Sequence, residues 1–218
     1  MTLAIFDLDN TLIGGDSDHL WGRFVCEQGL VDGDDFGVRN EQFYRDYERG
    51  ELDIDAYLRF ALGPIAGQSP ETLADWHARF MRDCIEPILL PRAASLLEDH
   101  RSRGHELLII TATNRFITAP IAARLGVEEL LAAEGEIVDG RYTGAPAGIP
   151  TYREGKVTRL EQWLAERGGT LDGAWFYSDS HNDLPLLERV DNPVAVDPDD
   201  TLRAIAAERG WPVISLRG

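Results

Sequence analysis

The sequence predicts an α/β fold: a doubly wound parallel sheet with an inserted helical domain. Three observations lead there. Leu3–Phe6, Leu107–Ile110, Ala174–Tyr177 and Pro193–Val196 are short apolar runs, each too brief for a helix and bounded by turn-forming or charged residues. Helical patterns separate most of them, and such alternation implies right-handed βαβ units. The stretch from about Asp16 to Pro87 is different, because it contains no strand-like run.

Leu3–Phe6 reads as a buried strand ending on Asp7-Leu8-Asp9-Asn10-Thr11. Ligands bind at the carboxyl ends of strands in a parallel α/β sheet, so two acids at that point are candidate catalytic groups. Side chains at 7 and 9 alternate along a strand, but a turn just past its end can aim both at one site. The chain then leaves the sheet. Between residues 16 and 87, Trp21, Phe24, Phe43, Tyr44, Tyr47, Tyr57, Leu58, Trp76 and Phe80 recur at roughly helical spacing, punctuated by Gly14-Gly15, Gly33 and Gly63-Pro64. Ten of the chain's 19 aromatics fall in this insertion, enough to build a core of its own with a minority left to face a ligand. The expected division is a catalytic core of residues 1–15 and 88–218 and a helical cap of residues 16–87.

After the insertion, Arg92–Arg103 is a helix stopped by Gly104. Leu107–Ile110 is the second strand and ends at Thr111. Thr118–Leu125 is a helix ending at Gly126, with Pro120 in its first turn. Residues 134–144 carry Asp139-Gly140 between β-prone flanks and predict a small hairpin appended to the sheet. Lys156 opens a helix running to Arg167, at an N-terminus that favours anions. Ala174–Tyr177 leads into Ser178-Asp179-Ser180-His181-Asn182-Asp183. Leu184–Arg189 is helical, Pro193–Val196 is a strand, and Val213–Leu216 is a candidate fifth.

Composition narrows the function. With 21 basic and 38 acidic residues the net charge is −17, a field that repels phosphodiester backbones and anionic lipid. Nucleic acid and membrane are therefore not expected partners, and nothing implies an obligate protein partner. A phosphorylated substrate would need local cations or a metal. Cys26 and Cys84 read as unpaired thiols of a reducing compartment. No signal peptide or membrane-length apolar run is apparent, so the expected location is the cytoplasm.

Four groups follow strands in a set order: Asp7 and Asp9, then Thr111, then Lys156, then Asp179 and Asp183. Asp179 and Asp183 could share a hard cation with Asp7, since Mg²⁺ prefers oxygen ligands. On these four stations the chain resembles the haloacid dehalogenase-like phosphatases over essentially its whole length. Its helical cap between the first two stations is similar to the phosphoserine-phosphatase-like branch. The resemblance implies a Rossmann-like core, Mg²⁺ held by Asp7, Asp179 and the backbone carbonyl of Asp9, and a small phosphomonoester substrate. It also implies Asp7 as nucleophile and Asp9 as acid/base. Thr111 and Lys156 become phosphoryl donors, Asp183 an outer residue orienting a metal-bound water or Lys156, and Asn182 a neighbour of the phosphate. Ser178 departs from the glycine often found there. His181 is no usual motif residue and reads as a solvent-exposed loop histidine.

For the substrate, the resemblance places an ammonium-binding carboxylate at Asp16, with Asp18 close by, and puts Ala61 where that branch carries a carboxylate-binding arginine. A phosphorylated amino alcohol then suits better than phosphoserine, and histidinol phosphate is one. Phosphoserine and other small metabolites stay open as alternatives. Response-regulator receiver domains combine a similar acid cluster with Thr, Lys and Mg²⁺. Against that reading, the phosphoacceptor here ends the first strand, a second acid follows two residues later, and a cap is inserted.

Overall fold

The computed structural model describes residues 2–217. The sheet is built from β1 (Leu3–Phe6), β2 (Glu106–Asn114), β3 (Glu129–Val138), β4 (Arg141–Ala147), β5 (Trp175–Ser178), β6 (Asn192–Val196) and β7 (Val213–Ile214), in the order β4-β3-β2-β1-β5-β6-β7. Every pairing is parallel except β3–β4. β1 is central, with Phe6 in register with Ile109 of β2 and Tyr177 of β5. The ends of these three strands thus lie side by side, which is why acids distant in sequence meet.

Seven of the helices frame the site and the core. They are α1 (Ser17–Glu27), α2 (Gly33–Glu48), α3 (Ile54–Leu62), α4 (Pro70–Phe80), α5 (Pro91–Ser102), α6 (Arg115–Arg124) and α7 (Glu154–Arg167); α8 (Leu184–Leu187) and α9 (Asp200–Arg209) complete the set. Along β1 the side chains alternate: Ala4 and Phe6 enter a core with Leu97, Ile117 and Ile121, whereas Leu3 and Ile5 enter one with Leu160, Phe176 and Leu202. The two faces of a doubly wound sheet are both covered.

The first four helices lie between β1 and β2, closed at their base by an isolated antiparallel bridge between Ile13 and Leu89. They do not form a bundle with a wholly separate core. Trp21, Phe24 and Phe80 join the main core, and Trp21 meets Phe116 of α6 edge-on at 5.3 Å. α2 and α3 make their own contact, with Phe36 stacked on Phe60 at 4.1 Å.

Three local expectations need correction. Pro120 is the sixth residue of α6, not in its first turn, because Asn114 caps the helix by accepting from Ile117 N. The hairpin does turn at Asp139-Gly140, both at positive φ, but its first strand begins at Glu129 and pairs with β2 before reaching the turn. His181 is not a free loop residue, since its Nδ1 pairs with Asp199 at 2.8 Å. Both cysteines are unpaired and partly buried. Among the described residues, no helix is long and apolar enough to cross a membrane.

Candidate active site

Asp7 leaves β1 with its N–H donated to Tyr177 O, and the chain then turns, with Asn10 at φ 57° and Leu12 N returning to Leu8 O. That turn brings Asp9 onto the same side as Asp7. Opposite them α7 presents Lys156, which is only 2% exposed. Its Nζ lies 2.8 Å from Asp7 Oδ1 and 2.7 Å from Asp183 Oδ1. Gly155 makes this seat possible, because a Cβ there would lie 2.0 Å from Pro150 O. The start of α7 therefore packs directly on the preceding backbone.

Asp183 is held on its other side by Ser178, whose hydroxyl donates at 2.7 Å. It pairs with Lys156, whose buried ammonium thereby finds hydrogen-bonding partners in two carboxylates. The expectation of Asp183 as a direct cation ligand is corrected accordingly: its carboxylate points at Lys156 and Ser178, the orienting alternative. Asp179 stands apart from this triad and accepts from the Thr11 hydroxyl at 3.2 Å.

Asp9 occupies a different environment. Its Oδ1 accepts from Ser17 N at 2.6 Å and its Oδ2 from the Thr113 hydroxyl at 2.8 Å, with the Thr111 hydroxyl at 3.4 Å. Burial, reinforced by Asp16, pushes its carboxyl up to about 6. A proton shuttle suits that value. Both oxygens of that side chain are thus engaged by Ser17 and the two threonines, whereas its main-chain carbonyl could serve a cation.

Burial also pushes Asp7 up to about 7 despite Lys156, with Asp183 and Asp9 adding negative charge. Asp179 is raised by burial and then by the charges of Asp7 and Asp183. Asp7 has Lys156 as its counter-charge, but Asp179, buried under the charges of Asp7 and Asp183, has no basic side chain paired with it among the described residues. Among the described residues, no three His, Cys, Asp or Glu side chains converge as a metal centre. Asp7, Asp179 and main-chain oxygens offer only oxygen donors, a chemistry that a hard divalent cation such as Mg²⁺ could use.

From Asp7 and Asp9 a cavity runs into the helical segment, past Asp16 and Asp18 to the rings of Phe43, Tyr44 and Tyr57. No arginine or lysine lines it among the described residues. Ala61 is buried within α3 and does not reach the cavity.

Asn182 joins segments distant in sequence. Its Oδ1 accepts from the Tyr152 hydroxyl and from Arg153 Nε, both at 3.1 Å, and its Nδ2 donates to Tyr47 O at 3.0 Å. Arg153 also donates to Gly50 O, so these residues latch α2 to the sheet side. Gly50 is required there: it has φ 67°, and a Cβ would lie 2.5 Å from the Arg153 guanidinium. The expectation of Asn182 beside a phosphate is thus joined by a role in this latch.

Sequence reasoning missed Thr11, Thr113, Ser178 and Arg153. Thr113 had a signal, since it lies two residues beyond Thr111 on the same strand; the other three are set by contacts across the fold.

The match to known proteins agrees with this geometry. The family model of haloacid dehalogenase-like hydrolases matches residues 4–188. A histidinol-phosphatase of Neisseria meningitidis serogroup C is 50% identical over 99% of both chains. A crystal structure of a Bordetella pertussis Tohama I protein of unknown function aligns with a TM-score of 0.93 at 46% identity, over 99% of this chain and 100% of that one. A substrate-bound phosphoserine phosphatase aligns at 0.71 and 16% identity, covering 99% and 93%, which shows a shared fold. The chain belongs to the haloacid dehalogenase-like hydrolase family.

Proposed function

We propose that this phosphomonoester hydrolase acts on histidinol phosphate, passing the phosphoryl group to Asp7 and then to water, with residues 16–87 as the cap that selects the substrate. The observation that carries the reading is the cavity: acidic and aromatic, with no arginine or lysine along its wall among the described residues. Such a lining attracts an ammonium and offers nothing to a carboxylate, for which a bidentate arginine is the usual partner. Phosphoserine is the poorer fit for that reason. The 50% identical meningococcal relative supports the same substrate.

In this mechanism an Asp7 oxygen attacks phosphorus in line, and the bond from phosphorus to the alcohol oxygen breaks. Asp9 delivers its proton to the departing alkoxide. It then takes a proton from the water that attacks the aspartyl-phosphate, and Asp7 is released. Lys156, the Thr111 hydroxyl and the N–H groups following Asp7 donate to the phosphoryl oxygens, the positioning and charge stabilisation on which phosphoryl transfer depends. Asp7, Asp179 and the Asp9 carbonyl would hold Mg²⁺, which when bound would neutralise charge on the phosphoryl group.

Phosphate release, measured with Mg²⁺ over histidinol phosphate, phosphoserine and sugar phosphates, tests the assignment. The expected kcat/KM for histidinol phosphate exceeds that for phosphoserine by at least roughly tenfold, about 1.4 kcal/mol of transition-state binding. A preference for phosphoserine overturns the substrate.

A further inference from the structure

The two carboxylates deeper in the cavity are not equivalent. Asp16 caps α1: its Oδ1 accepts from His19 N at 2.7 Å, and it faces Asp9 and Asp7. Asp18 lies one step farther from the nucleophile, with Asp16 as its strongest charged neighbour and Asp9 acting more weakly. It is 5% exposed, and neither of its oxygens has a hydrogen-bond partner among the described residues. The Tyr57 hydroxyl faces it without completing hydrogen-bond geometry. An empty buried carboxyl is costly unless a donor arrives, and this one borders a cavity open to substrate.

Resting on the reading of the substrate as an imidazole-bearing amino alcohol phosphate, we propose that Asp18, with Tyr57 beside it, is the station for the imidazole N–H, while Asp16 holds the amine. The covalent structure of such a substrate sets this order. Its amine sits on the carbon next to the phosphorylated CH₂, and its ring is one methylene farther along. Asp16 and Asp18 recede from Asp7 in the same sequence. The walls also suit a planar group: Phe43, Tyr44 and Tyr57 line the same cavity and offer ring faces and edges against which an imidazole can pack. A site built to accept from a substrate N–H rejects analogues lacking it, because its own polar group is left unpaired.

The test is a substrate series given to the Mg²⁺-loaded enzyme: histidinol phosphate, 3-(imidazol-4-yl)propyl phosphate, ethanolamine phosphate and n-propyl phosphate. The readout is the kcat/KM ratio of the ring-bearing or amine-bearing ester to propyl phosphate. Asp18→Asn is expected to lower the ring ratio at least about tenfold, mainly through KM, and to change the amine ratio by less than about twofold. Asp16→Asn is expected to do the reverse. Tyr57→Phe keeps the ring that packs there and is expected to lower the ring ratio by roughly threefold. Calorimetric binding of histidinol, weakened in Asp18→Asn, gives a reading independent of turnover.

A ring ratio in folded Asp18→Asn equal to wild type overturns the proposal while leaving the substrate reading intact. If Asp18→Asn does not fold, an unchanged ring ratio in Tyr57→Phe overturns it instead. If wild type itself shows no preference for the ring, the substrate reading fails along with the proposal.

Discussion

Replacing Lys156 by methionine isolates the strongest electrostatic interaction in the site. The ammonium is buried, at 2.8 Å from Asp7 Oδ1 and 2.7 Å from Asp183 Oδ1. Burial alone would lower its proton affinity, but the two acids reverse this and hold it firmly charged. Methionine fills the volume and leaves two buried carboxylates facing each other. Breaking a buried pair in this way costs about 3–5 kcal/mol. Here the lower end applies, because Asp7 already titrates at about 7 beside the lysine and will take up a proton once the lysine is gone. Urea unfolding at neutral pH without added metal should show a loss of about 3 kcal/mol. Adding Asp183→Asn to Lys156→Met should recover about 1–2 kcal/mol by removing an uncompensated charge. With Mg²⁺ present, kcat should fall by about 10²–10³, as for loss of one preorganised donor to transition-state charge. A loss of stability below about 1 kcal/mol, or no relief from Asp183→Asn, would refute the argument that Lys156 is held by both acids.

Asp9→Asn should slow turnover by roughly 10²–10⁴-fold, while Asp7→Asn should abolish it in a folded protein, measured by steady-state phosphate release; an effect of Asp9→Asn confined to KM would make it a binding residue. Chelation should remove activity and Mg²⁺ restore it, whereas Ca²⁺ should inhibit because its looser coordination spoils in-line geometry. Full turnover in excess chelator, with metal content checked, contradicts the role given to Asp179. His100 should make stability fall in acid: burial, then His105 and Arg103 against the weaker pull of Asp99, lowers its value from 6.5 to about 4. The unfolded chain therefore binds more protons between those values, so stability is complete above 6.5 and is lost as pH falls toward 4, by about 2 kcal/mol at pH 5. Urea midpoints of wild type against His100→Gln at pH 7.5 and 5 isolate this contribution from the other titrating acids. An unchanged difference between the two proteins at both pH values counts against it.

How much of the site could be read before the fold was known depends on the range of the interactions involved. Asp7, Thr111, Lys156 and Asp179 each follow a short apolar run or open a helix, and the binding end of a parallel sheet is a local property of where strands stop. Helix ends set by Gly104 and Gly126, and the Asp139-Gly140 turn, were legible for the same reason. Pro120 was misplaced because Asn114 competes as a cap and wins, its amide reaching Ile117 N. The first half of β3 was missed because its pairing with β2 is long-range and its own pattern is short.

Neighbours across the fold lie beyond any local pattern. Nothing near Asn182 in sequence announces Tyr47 O, 135 residues away, nor does Gly50 announce the guanidinium of Arg153. Nothing in the sequence around Ser178 announces that its hydroxyl donates to Asp183. Strand ends and turn residues are written residue by residue, so they determined the sheet and the order of the four stations. Which acid serves the lysine, which caps a helix and which lies empty in the cavity is decided by burial and by donors from distant segments. Those are properties of the packed chain, because a carboxylate's role is fixed by what folding removes from around it as much as by what it brings near.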